Sequence, residues 1–289
     1  MGFLSIDDMI NQITTNGQSQ DINWQKTSSN GATSAAGRWH EMLTWTGVPA
    51  AVTFSGTAGV ATSLTSSTTG ALSSLPEGNV STKTRHLLNS MSWTGSSVVT
   101  PASLILCDFL LYYPALVVTG TPTVPNNSVT LPRYTTGAGV QAAVFVQTAL
   151  GAASPALTMT FTAVDSGGST HSGQTAVMTS PANSAPISTA LLNNGQPQFP
   201  IPSGYVGIQS IQSYTIASGT SGTVAAVLYR PLMQIPLCAQ YLPSERDCLY
   251  QLLSLPRIYD GACLGWMVGI GGAMTTLQTI SGRTQYCWG

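Results

Sequence analysis

Thr-rich alternation, broken by short Gly/Ser turns, most constrains what this chain can fold into. From Leu157 to Val164, apolar residues fall between threonines, the pattern of a strand with one buried face. Asp165-Ser-Gly-Gly-Ser then supplies turn chemistry, and Gln174 to Ser180 reads as the returning strand. Val140 to Leu150 alternates in part. Tyr205 to Ala217 and Thr223 to Leu232 read as a further pair, joined by Ser218-Gly-Thr-Ser-Gly222. Gly120-Thr-Pro-Thr-Val-Pro-Asn-Asn127 is a turn before them. Short strands at this spacing predict a mainly β fold, an antiparallel, jelly-roll-like β-sandwich.

A helix and arm are expected in front of that body. Ser5 with Asp8 makes a capping box, and Leu4 with Met9 stands where a hydrophobic staple would be. Ile6, Met9, Ile10 and Ile13 form one apolar stripe, and Asn16-Gly17 supplies the stop. A helix this short needs something to pack on. Gln18 to Gly37 is polar and reads as a flexible arm, so the expected division is 1–37 for helix and arm and 38–289 for the body. A shift in pattern near 120 marks a further division. The helix stripe is expected to dock on a neighbouring subunit, with docking on its own body the competing reading.

Two segments are ambiguous. Ser103 to Val118 suits two buried strands meeting near Pro114, or one helix ending there. Ser244 with Asp247 reads as a second capping box before Leu249, Leu252 and Leu253, a helix stopped by Pro256. Glu245, Arg246, Asp247, Arg257 and Asp260 gather here. An ion-pair network at a helix end explains them, and a subunit contact using Arg246 and Arg257 as anchors is the sharper reading.

Charge narrows the function. Only 7% of the 289 residues are charged, with nine Lys and Arg against ten Asp and Glu. Ser and Thr make up roughly a quarter of the chain, well above average usage. So few basic residues make a poor phosphate-binding footprint, and no direct nucleic-acid binding is expected. A surface this poor in charge is weakly protected against association and suits a component covered by copies of itself or by other subunits. The start, MGFLSIDDMI, has neither the basic nor the apolar region of a signal peptide. Asp108 and Pro114 interrupt the longest apolar run, so no membrane helix is expected.

Catalytic, metal and cofactor residues are expected to be none. Cys107, Cys238, Cys248, Cys263 and Cys287 form no CxxC pair and read as small buried hydrophobes. His40, His86 and His171 stand apart, without HExxH spacing, and no GxSxG elbow is present. Glu41, Glu77, Glu245 and seven aspartates show no paired spacing of the kind glycan hydrolysis uses. Asp108 needs a buried partner, Arg133 or Arg230. Gly269-Ile-Gly271-Gly272 is no nucleotide fingerprint and reads as a place where a strand bends or packs closely. The six tryptophans, Trp24, Trp39, Trp45, Trp93, Trp266 and Trp288, read as core and interface anchors.

Four phrases carry a resemblance. Leu106-Cys-Asp-Phe-Leu-Leu-Tyr-Tyr-Pro114, Ser244-Glu-Arg-Asp247, Leu255-Pro-Arg-Ile-Tyr-Asp-Gly-Ala-Cys-Leu-Gly265 and Trp288-Gly289 resemble a family of tailed-bacteriophage virion structural proteins, over most of the chain from about Gly37. The resemblance implies a minor capsid, decoration or cement protein at the head surface, located in the virion. Its implied partners are the major capsid protein and copies of itself in a symmetric oligomer such as a trimer. The competing reading is a receptor- or glycan-binding appendage, for which an exposed aromatic pair would be the mark.

Overall fold

The computed structural model describes residues 3–28, 33–72, 84–94, 101–118, 120, 124–151, 156–179, 187–217, 221–252, 255–274 and 277–289. Glu77, Leu253 and parts of the turns at 120–127 and 218–222 lie outside them. The chain is mainly β with one short helix, α1 (Ile6–Thr14). The first strands are β1 (Ser19–Thr27), β2 (Trp39–Glu41), β3 (Thr46–Val48), β4 (Thr62–Ser63), β5 (Arg85–Thr94) and β6 (Ala102–Val117). Then come β7 (Gln141–Thr148), β8 (Ala156–Asp165), β9 (Thr170–Thr179), β10 (Tyr205–Ala217) and β11 (Thr223–Leu237). The last are β12 (Ser244–Asp247), β13 (Arg257–Ile258), β14 (Cys263–Ile270) and β15 (Thr279–Trp288).

Three antiparallel sheets result. The central one runs β2-β14-β6-β11-β7, with β4 on β6. A second runs β12-β5-β15-β1-β3, with β13 on β5, and a third runs β10-β8-β9. The other two sheets share one face of the central sheet, because β6 and β11 are long enough to carry two cores. Leu110, Leu116, Val224, Ala226 and Leu228 meet Leu157, Met159 and Phe161 of β8 and Ile208 of β10. Further along, Leu104, Leu106, Met233, Ile235 and Trp266 meet Trp24, Leu87, Ile280 and Tyr286. The register slip after Pro231 adds a residue to β11 and keeps its apolar residues on that face, and the slip after Leu228 does the same for β6 by adding Leu110. Phe109, Val227, Tyr229 and Met267 point the other way, under Trp39, Leu43, Phe54 and Leu64.

Several expectations are corrected here. Gln18 to Gly37 is not a free arm over its first half: β1 lies between β15 and β3, in register from Ser19 opposite Cys287 to Thr27 opposite Thr279. Ser103 to Val118 is one strand rather than two or a helix. It survives Pro114 because Ala115 turns to φ +53 and the register slips there. Tyr205–Ala217 and Thr223–Leu237 are strands but not partners: β10 pairs β8, and β11 lies between β6 and β7. The Ser244 helix does not form over the described residues 244–252. Ser244–Asp247 is a strand on β5, and the Asp247 carboxylate accepts from the N–H groups of Leu249 and Tyr250, capping a turn instead.

Other expectations hold. The hairpin from β8 to β9 forms at Asp165, whose carboxylate accepts from Gly167 and Ser169 N–H. Gly269 gives close packing, since a Cβ there would lie 2.6 Å from the Trp39 ring. Cys107, Cys248, Cys263 and Cys287 are buried free thiols as expected, but Cys238 is exposed, which corrects its reading as a buried hydrophobe.

Candidate functional site

The helix stripe divides. The Ser5 hydroxyl accepts from Asp8 N–H, and the Asp8 carboxylate accepts from Leu4 N–H, so the capping box forms with a one-residue shift of its second bond. No staple forms: Met9 is buried, but Leu4 is 88% exposed. Phe3 packs on the body instead, with its ring 5.6 Å from the His86 ring and against Gly289. The helix therefore docks on its own chain, beside β15, which corrects the expectation that Met9 seats on a neighbour. Ile6 and Ile10 remain exposed and Ile13 half-buried. Met9→Ala should therefore cost about 2 kcal/mol in urea unfolding, at the low end for core truncations, whereas Ile6→Ser should stay within about 0.5 kcal/mol. Equal effects would contradict this division.

The charged residues near 250 also separate. Arg246 donates from Nε to Gln234 O, tying β12 to β11, and Glu245 accepts from Asn89. Arg257 is exposed, opposite His86 in register, with its guanidinium 4.3 Å from the Tyr259 ring centroid. Asp260 pairs with Arg85 at 3.1 Å. No helix-end network exists among the described residues. Arg257 and α1 are brought to the same neighbourhood, around His86, and Arg246 is not.

The buried ionisable groups are engaged within the fold. Arg133 grips Asp108 with two hydrogen bonds, Nε to Oδ2 at 2.8 Å and Nη2 to Oδ1 at 2.7 Å. Its Nη2 also donates to Leu64 O and Phe109 O, and Cys263 N–H donates to Asp108. Burial pushes the Asp108 carboxyl up, and Arg133 pulls against it. His40 lies between the hydroxyls of Ser34 and Ser188. Burial, then the positive charge of Arg38, hold its pKa down at about 3. Glu41 accepts from the Thr44 N–H and hydroxyl, and burial raises its pKa. Lys26 donates to Trp45 O and Ala50 O, and burial lowers it to about 8. His171 pairs with Asp165 at 2.8 Å rather than standing solvated alone.

The surface offers a sheet edge that sequence reading did not single out. β9 is the outer strand of its sheet, ten residues of sequence THSGQTAVMT with mostly exposed side chains. It carries no Lys, Arg, Asp, Glu or Pro. Among the described residues, only Thr179 pairs on its outer side, with Leu192.

No family model matches the chain, and no curated protein matches it. Among solved structures, a chain from "Structure of infectious bursal disease virus Gt strain" aligns over 97% of this chain and 86% of its own, at 8% identity and a TM-score of 0.20. A likeness at that level carries no argument about fold or function.

Proposed function

We propose that this chain is a structural subunit of a tailed-bacteriophage particle, self-associating and binding capsid subunits to decorate or stabilise the head. The observation that carries the self-associating part is β9. Soluble proteins protect long edge strands with charge, proline or a cover, because open N–H and C=O groups template pairing with another chain. β9 has no such charge or proline and sits on a chain whose surface is nearly uncharged. The virion context rests on the four phrases quoted above. Five of the six tryptophans are buried and Trp93 is half-buried, so no exposed tryptophan pair favours the glycan-binding alternative. Closed symmetry is the usual outcome of such association, and a small ring such as a trimer fits it.

The test is sedimentation of the full chain over a range of concentrations, with and without purified heads. Self-association and binding to heads are the expected results. Val177, 47% exposed on β9, is the site for a gatekeeper. Val177→Lys should shift the population towards monomer while leaving the unfolding midpoint nearly unchanged. A chain that is monomeric at every concentration and passes through heads unbound overturns the proposal.

A further inference from the structure

Four of the nine basic residues line one adjoining pair of hollows, where the segments at 132–138 and 256–260 face each other. Arg85, Arg133 and Arg257 line a hollow of about 540 Å³, and Arg230 with Arg257 lines its neighbour of about 410 Å³. Tyr134 and Tyr259 belong to both and meet edge to face, with ring centroids 4.8 Å apart. In a chain of net charge −1, this gathering is uneven.

Two of the four arginines are spoken for. Arg133 is neutralised by buried Asp108, and Arg85 by Asp260. Arg230 and Arg257 have no carboxylate within ion-pair distance among the described residues. Both are held by tyrosines instead. The Arg230 guanidinium lies 5.6 Å from the Tyr134 centroid, and that of Arg257 lies 4.3 Å from Tyr259. Arg230 also donates from Nη1 to Ala138 O at 2.8 Å. The backbone makes room for it: a Cβ on Gly139, which has φ +69, would sit 1.2 Å from Arg230 Nη1.

These features describe prepared positive charge. Stacking fixes the planar forks and leaves N–H donors free, and a guanidinium offers five of them in a geometry matched to carboxylate and phosphate. A cleft concentrates the field of such charges more than a flat surface does. Because arginines occupy the tyrosine rings, the cleft offers donors rather than an aromatic platform for a neutral sugar. We propose that the Tyr134–Tyr259 cleft is a binding site for a ligand bearing oxyanion groups, carboxylates or phosphates, held by Arg230 and Arg257. The site does not depend on whether the chain assembles.

Calorimetric titration of the full chain at low ionic strength tests it, with inorganic pyrophosphate in one arm and a tetraglutamate peptide in the other. One molecule should bind per chain in at least one arm, and which arm responds names the source of the oxyanion. Arg230→Gln and Arg257→Gln should each weaken binding about tenfold or more, while Arg246→Gln, away from the cleft, should leave it unchanged. Near-UV circular dichroism shows that each variant is folded, and Tyr134→Phe with Tyr259→Leu, which removes one stacking ring and keeps both charges, should weaken binding as well. No binding in either arm, or binding that survives the loss of both arginines, overturns the site. Equal weakening by Arg246→Gln also overturns it, since that is the response to net charge alone.

Discussion

Asp108→Ala is expected to lower folding stability by about 3–5 kcal/mol, the largest effect of any single substitution considered. The loss comes less from the attraction removed than from what is left behind. Arg133 would keep its charge in a buried position, with Leu64 O and Phe109 O as its remaining acceptors, and the Cys263 N–H would lose its acceptor. The pair also occupies a particular place, on the face of β6 between Leu106, which belongs to one core, and Leu110, which belongs to the other. Replacing both members with apolar residues, Asp108→Leu with Arg133→Met, removes the stranded charge. The double variant should recover more than half of the loss. Urea unfolding followed by tryptophan fluorescence measures both. A single-variant cost below about 1 kcal/mol would show that the pair is hydrated rather than buried.

Acidification should unfold the protein partly through His40. Its pKa is held at about 3 in the folded chain, below the ordinary value of 6.5. The unfolded chain therefore binds a proton that the folded chain refuses across the interval between them. The contribution is intact above pH 6.5 and is lost progressively as pH falls towards 3, reaching about 4 kcal/mol. The proton is refused because burial strips the charged ring of water and Arg38 repels it, while the flanking Ser34 and Ser188 hydroxyls supply no countercharge. Carboxylates titrate in the lower part of the same range, so comparison with His40→Gln isolates the histidine. The difference in stability between the two proteins should change with pH between 6.5 and 3. If the two curves stay parallel, His40 carries no such linkage.

Local signals were legible where they act locally. Ser5 and Asp8 mark α1 correctly because a capping box needs only neighbours in sequence, and Asp165 marks its hairpin for the same reason. The same residue types misled at Ser244. An aspartate that can cap a helix can equally cap a turn, and pairing with β5 decided between them. β1 was hidden by its polarity. Ile22, Trp24 and Lys26 do alternate inward, but Gln20 and Lys26 are polar at inward positions and hide the period, and β15 completes the ladder from far along the sequence. The separation of β10 from β11 could not be read at all, since adjacency in sequence suggests a hairpin and only the layered arrangement denies it. The cleft was invisible for a similar reason: Arg230 and Arg257 belong to different strands, and residue type gave only that Asp108 needs Arg133 or Arg230, of which the fold supplies Arg133.

The pairing of β1 with β15 sets an order of events during synthesis. Thr27 and Thr279, whose hydroxyls meet at 2.9 Å, are 252 residues apart. When β1 leaves the ribosome, only short β3 is soon available beside it, and its main partner follows 252 residues later, measured from Thr27 to Thr279. Contacts this distant in sequence are slow to form, because loop closure comes before the bonds that reward it. The third sheet, by contrast, gathers β8, β9 and β10 from residues 156–217 and has no such wait. A ribosome that stops before Thr279 releases a chain with β1 and β5 each lacking β15 between them. Such a product keeps open strand edges that proteolysis and chaperones recognise, so the arrival of β15 is itself the checkpoint for this sheet.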